Sequence, residues 1–194
     1  MKMTCVFLIG SLLASAVGGL WAGEAAATGA VVRKPDVVFV PTPTGVVDKM
    51  IELAEIKPGD VLYDLGCGDG RFVVAAARKH GIKAVGVDID PQRVADSLAN
   101  VRSNKVEHLV TIKQADIFEL DFSDATVVTL YLLPELNVRL KPKLAKLKPG
   151  TRILSYEFEM AGAKPLQVVE CPAGPGFDHY PSTIYKWVVP WETP

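Results

Sequence analysis

From residue 61 onward, short apolar runs alternate with stretches in which apolar residues recur at helical spacing. VLYDLGC (61–67), KAVGVDID (83–90), VTIKQAD (110–116), ATVVTLYLL (125–133) and TRILSYEFE (151–159) read as five strands. The fourth is nearly continuous in apolar residues, as expected of a strand covered on both faces. RFVVAAARKHG reads as a helix stopped by Gly81. Asp90-Pro91 supplies an N-cap and a first-turn proline for a second helix, with Val94, Leu98 and Val101 on one face. PELNVRLKPKLAKL is a third, expected to break or kink at Pro142. Upstream, Thr42-Pro43 is expected to cap a helix running to about Ile56, packing through Val46, Val47, Met50, Ile51 and Ala54. PLQVVE and STIYKWVVP close the chain as two more strands around an irregular loop, 171–182, that carries His179 and Tyr180. Such alternation predicts an α/β fold, a doubly wound, mostly parallel sheet with helices on both faces.

A length of 194 residues suits one domain, taken as 28–194. Composition changes that picture at one end only. Lys2, an apolar run from Cys5 to Trp21, and small residues ending in Ala25-Ala26-Ala27 follow the order of a secretory signal. The run of 17 residues also reaches the short end of a bilayer span, roughly 17–25 residues. Residues 1–27 therefore read as a signal peptide or a membrane anchor, and the domain as exported (periplasmic or extracytoplasmic) or membrane-anchored. The net charge of −1 argues against a nucleic-acid partner. Cys5, Cys67 and Cys171 imply no disulfide framework, though Cys67–Cys171 pairing stays open on count alone. Without CxxC, HExxH or a histidine cluster, no metal site is expected.

The chemistry concentrates in DLGCGDG (64–70), a glycine turn between the first strand and its helix. Ligands of doubly wound sheets bind beyond the carboxyl ends of the strands, where this turn falls. It lacks the lysine of a triphosphate-binding loop. Its G-x-G-x-G spacing also departs from the GxGxxG of dinucleotide sites, since Arg71 occupies the third glycine's place. Asp64 and Asp69 would repel a pyrophosphate but suit a ligand carrying an ammonium and a sulfonium. Asp88, at the end of the second strand, is placed to accept both ribose hydroxyls, and Asp116, at the end of the third, an adenine amino group.

DLGCGDG, GVDIDP and QAD in this order resemble the motifs of the seven-strand S-adenosylmethionine-dependent methyltransferases, over roughly residues 37–190. That resemblance implies a Rossmann-like sheet of order 3-2-1-4-5-7-6 with its seventh strand antiparallel. It implies S-adenosylmethionine as cofactor, held by Asp64, Gly66, Gly68, Gly70, Asp88, Ile89, Asp116 and Thr42. FVPTPTGVVDKMIELAEIKPGDVLYDLGCGDG and TLYLLPELNVRLKPKLAKLKPG further resemble the protein-lysine methyltransferases related to the mitochondrial enzyme that modifies the ATP synthase c-subunit and its archaeal relatives. The acceptor implied is a protein lysine, with Tyr131 and Glu135, after the fourth strand, as catalytic candidates. Methylation of a small molecule at N or O is an alternative. So is an exported module that binds S-adenosylmethionine without turnover.

Overall fold

The computed structural model describes residues 34–193. The expected signal or anchor at residues 1–27 lies outside that range. The described chain forms four helices, α1 (Thr44–Leu53), α2 (Arg71–His80), α3 (Pro91–Ser103) and α4 (Pro134–Leu144). Seven strands accompany them: β1 (Val61–Leu65), β2 (Lys83–Asp88), β3 (Val110–Gln114), β4 (Val127–Leu130), β5 (Arg152–Tyr156), β6 (Gln167–Cys171) and β7 (Ser182–Val188). They make one sheet in the order β3-β2-β1-β4-β5-β7-β6, with β7 antiparallel to both its neighbours. This is the expected topology.

Side-chain alternation explains the layers. Leu62 and Val127 turn into one core with α1 and α2, while Tyr63, Leu65, Val128 and Leu130 turn into another with α4. All five apolar positions expected of α1 are buried. Gly81 closes α2 at φ +65°, and the Asp90 side chain caps α3 by accepting from the Gln92 N–H.

Several expectations need correction. The first five strands stop short of their apolar patterns, because the hydrogen-bond ladder ends where the chain turns into the cleft. Asp116 consequently lies two residues past β3, in a turn where its carboxylate accepts from the Phe118 N–H at 2.9 Å. Thr42 caps nothing: α1 starts at Thr44 with Pro43 at its N-cap, and the Val47 N–H bonds to the Pro43 carbonyl. The α3 face that packs carries Ser97 and Val101, while Leu98 is exposed. α4 runs through Pro142 without breaking, since a proline in the last turn forfeits only one ladder bond. Cys67 and Cys171 are buried free thiols.

The amino ends of β1, β4 and β5 are tied by one buried ion pair. Arg152 grips Asp60 with both terminal guanidinium nitrogens and also donates to the Ala54 carbonyl at 3.0 Å. Thr126 Oγ1 donates to Asp60 at 2.7 Å and accepts from the Val61 N–H at 2.9 Å. The side chains of Arg152 and Asp60 are only 14% and 9% exposed. Burial works against the ionised carboxyl, but Arg152, the Lys57 N–H and Thr126 outweigh it and hold its pKa below the usual value.

Removing one partner of such a pair strands a buried charge. Arg152→Met should cost about 3 kcal/mol at pH 7 in denaturant unfolding. Because the folded pKa of Asp60 is depressed, the pair's stabilisation is full above the unfolded value of about 3.9 and disappears as pH falls through the folded one. The gap between variant and parent should therefore close on acidification below that value; a gap constant down to about pH 3 would mean that Asp60 is not what the arginine stabilises.

Candidate active site

Beyond the carboxyl ends of β1 to β4 lies a cleft of about 290 Å³, near the lower end of the roughly 300–1,000 Å³ usual for small-molecule sites. Its floor is the glycine turn. The Gly66 and Cys67 N–H groups both bond to the Val87 carbonyl, at 2.8 and 2.9 Å, which folds the turn over the end of β2. Gly66, Gly68 and Gly70 have φ of +88°, +55° and +75°, a region side chains disfavour. A Cβ on Gly70 would press on Ser97, whose hydroxyl donates to the Gly68 carbonyl at 2.7 Å.

Asp64 is buried in the middle of the sheet, and the register sets it opposite Thr129 of β4. The Thr129 hydroxyl donates to Asp64 at 2.8 Å. Burial raises the Asp64 pKa to about 7; the hydroxyl opposes the shift, and the carboxylates of Asp88 and Asp69 add to it. Asp88 ends β2 and accepts from the N–H groups of Gly68 and Asp90, both at 2.9 Å, so it is fixed against the turn. Its pKa is raised by burial, against the pull of those donors. Ile89 and Asp116 line the same wall.

Asp69 is not a bare charge beside the turn. Arg71 clasps it with Nε at 2.9 Å and a terminal nitrogen at 2.6 Å. Burial opposes ionisation of Asp69, but the guanidinium prevails and lowers its pKa. The other terminal nitrogen of Arg71 bonds to the Thr42 carbonyl. Thr42 is thereby held in the cleft wall, and residues 35–40 continue across the opening. Phe39 lies on Gly68, under the guanidinium of Arg93 4.7 Å from its ring centre.

A model described as the ANTKMT methyltransferase domain matches residues 64–167. A protein-lysine N-methyltransferase of Saccharolobus islandicus is 46% identical over 80% of this chain and 95% of its own. This chain belongs to that methyltransferase family. It is an S-adenosylmethionine-dependent methyltransferase. The human lysine N-methyltransferase of the ATP synthase c-subunit is 32% identical over 77% of this chain and 65% of its own. A crystal structure of an RNA methyltransferase from Salinibacter ruber, in complex with S-adenosyl-L-homocysteine, is 47% identical, covers 80% of this chain and 97% of that one, and superposes with a TM-score of 0.73.

The methyltransferase cleft brings together Thr42, Asp64, Gly66, Asp88, Ile89, Asp116 and Tyr131, with Gly68 and Gly70 completing the turn beneath it. It does not include Glu135, which is exposed in the first turn of α4, although Leu133 and Leu136 on either side line the opening. Cys67 packs on Ser97, its thiol pKa pushed up by burial and by Asp64, so it is no nucleophile. Sequence reasoning missed Phe39, Arg71, Arg93 and Phe158. The place of Arg71 directly after the turn was a signal for one of them; the others come from segments far along the chain.

The ring of Phe39 fills the space that a side chain at position 68 would need, 2.2 Å from the nearest ring carbon. Gly68→Ala should therefore push Phe39 off the turn and add a left-handed backbone penalty of about 1–2 kcal/mol. Amide exchange at 38–40 should quicken in this variant. Unchanged exchange there would show that the turn does not hold the segment.

Proposed function

We propose that this methyltransferase N-methylates lysine side chains of a protein. The observation that carries the reading is the 46% identity to a protein-lysine N-methyltransferase over 80% of this chain, and the sign of the cleft suits the donor. Six aspartates (Asp36, Asp64, Asp69, Asp88, Asp90 and Asp116) line it against two arginines. Arg71 is committed to Asp69, and Arg93 to Asp96 at 3.0 Å. Such a lining favours a cationic donor and disfavours a pyrophosphate. The names of the Saccharolobus islandicus and human relatives support a lysine acceptor.

When bound, S-adenosylmethionine supplies the electrophile, a methyl carbon on a positively charged sulfur. In this reading the buried Asp64 receives the ammonium of its amino-acid part. Asp88 accepts the ribose hydroxyls and Asp116 the adenine amino group. Gly66, Gly68 and Gly70 let the backbone come close, and Ile89 and Thr42 close the sides. Tyr131 lies at the acceptor end. Burial raises its pKa, with the carboxylates of Asp178 and Glu157 adding to the shift, so the phenol keeps its proton. It therefore orients the amine by hydrogen bonding and does not serve as a base. A lysine must first release its proton to solvent, at a cost of about 4–5 kcal/mol at pH 7. A nearby sulfonium and exclusion of water both reduce that cost. The nitrogen lone pair then forms the N–C bond, the C–S pair stays with sulfur, and the positive charge passes to the alkylammonium. Glu135 is exposed beside the opening, between Leu133 and Leu136, and this reading gives it no assigned role.

Methylation of RNA is the second reading, favoured by the name of the Salinibacter ruber protein. Methyl-labelled S-adenosylmethionine, added with the full-length protein to a lysate of the producing cells, separates the two. Recovery of label as methyl-lysine after acid hydrolysis is expected. Label released by ribonuclease, or confined to small molecules, would replace the lysine assignment.

Asp64 makes donor binding depend on pH. Its folded pKa of about 7 lies above the unfolded value near 3.9, so it favours the unliganded fold at low pH and loses that contribution as pH rises from about 4 to 7. An ammonium needs the ionised form. Affinity for S-adenosylhomocysteine should accordingly rise about tenfold between pH 6 and 8 in calorimetric titrations. Asp64→Asn should weaken binding and flatten the profile; a flat profile in the parent would take the ammonium away from Asp64.

A further inference from the structure

The turn that carries Asp116 is the part of the donor side that the sheet supports least. β3 is an edge strand, with β2 as its only neighbour among the described residues. Ladder bonding ends where the Ala115 N–H meets the Asp88 carbonyl at 3.0 Å. Beyond it, Asp116 and Ile117 line the cleft, half-buried, on a turn closed by the Glu119 and Leu120 N–H groups, each 3.0 Å from the Asp116 carbonyl. Those bonds fix the shape of the turn. They do not fix where it stands against the cleft.

Its place comes from α4. Leu136, Arg139 and Lys143 follow one another at three- and four-residue spacing, which puts them on one helical face. Leu136 lines the cleft. The Arg139 guanidinium lies 3.6 Å from the centre of the Phe118 ring. One turn on, the Lys143 ammonium donates to the Phe118 and Leu120 carbonyls, both at 2.7 Å. A surface lysine ordinarily keeps its ammonium in water. This one makes two charge-assisted hydrogen bonds to a single turn. Phe118 passes the hold on, because its own N–H is the donor to the Asp116 carboxylate at 2.9 Å.

We propose that Lys143 is a positioning residue of the donor site. By tying residues 116–120 to α4, it holds the Asp116 carboxylate where an adenine amino group is told apart from an oxygen. The proposal deepens the reading of Asp116 given above and rests on it. An ionised carboxylate only accepts hydrogen bonds, so it takes an amino group and repels a carbonyl oxygen. That distinction is as sharp as the carboxylate is fixed. Lys143 acts on the donor only through Asp116.

The test uses two ligands, S-adenosylhomocysteine and S-inosylhomocysteine, in which an oxygen replaces the adenine amino group. Each is titrated calorimetrically into the full-length protein. The parent should prefer the adenine compound roughly tenfold to hundredfold. Lys143→Met, which keeps the stem and removes the ammonium, should cut that preference to about threefold or less while S-inosylhomocysteine affinity stays within about twofold of the parent's. A preference retained in Lys143→Met would overturn the positioning role. So would equal weakening of both ligands, which is what a loss of general stability gives. Failure of the Asp116 reading looks different, and the proposal falls with it: the parent then binds the two compounds equally, or Asp116→Asn keeps the parent's preference.

Discussion

A carboxyl group buried between parallel strands, with one hydroxyl as its side-chain hydrogen-bond donor, sets the terms for everything around it. Asp64 occupies a position where its neighbours along β1 are Tyr63 and Leu65, both buried. Burying an ionised carboxylate there costs several kcal/mol unless a counter-charge arrives. The Thr129 hydroxyl relieves only part of that cost, and the nearby carboxylates of Asp88 and Asp69 add to it. The unliganded protein meets the constraint by letting the group hold its proton near neutrality. In the proposed reading, a cationic donor meets it by supplying the missing charge, and a stability liability becomes binding energy.

The second carboxylate obeys a different rule. Asp88 is as firmly placed as Asp64, but by backbone N–H groups from the turn and from the residue leading into α3. It therefore also has a structural role, joining the end of β2 to the glycine turn. The third, Asp69, is matched by Arg71, whose remaining terminal nitrogen reaches the Thr42 carbonyl. One arginine thus removes a repulsive charge from the cleft and fastens the segment that crosses it. Phe39 completes that crossing by resting where only glycine leaves room.

The sheet was legible in the sequence because it follows from local signals. Apolar runs, the Asp90-Pro91 cap, the Gly81 stop and the glycine turn each act over a few residues, and parallel connections leave few topologies. The carboxylates of the cleft wall were legible for the same reason: Asp64, Asp88 and Asp116 stand at or close to strand ends, and strand ends can be counted. What could not be read was set by contacts between distant segments. Phe39 reaches Gly68 across 29 residues, and Phe158 meets Tyr131 across 27. Neither carries a local mark. Leu98 shows the opposite error, an apolar residue at the right spacing that faces solvent because α3 turns Ser97, not a bulkier residue, toward the glycine turn.

This division bears on how relatives of nearly equal identity come to be named for different acceptors, a protein lysine in one case and RNA in another. Holding the donor is a problem of strand ends and one turn, so any chain that forms this sheet meets it in much the same place. In the proposed reading, choosing the acceptor falls to the segments just after β4 and β5. Those parts are positioned by a strained reversal at Glu157 and by Tyr156, whose hydroxyl donates to Asp178 on a loop anchored by one bond from Gly45 to Gly176. Few of these contacts belong to the sheet's hydrogen-bond ladder, so substitutions there can reshape the acceptor end at little cost to the fold.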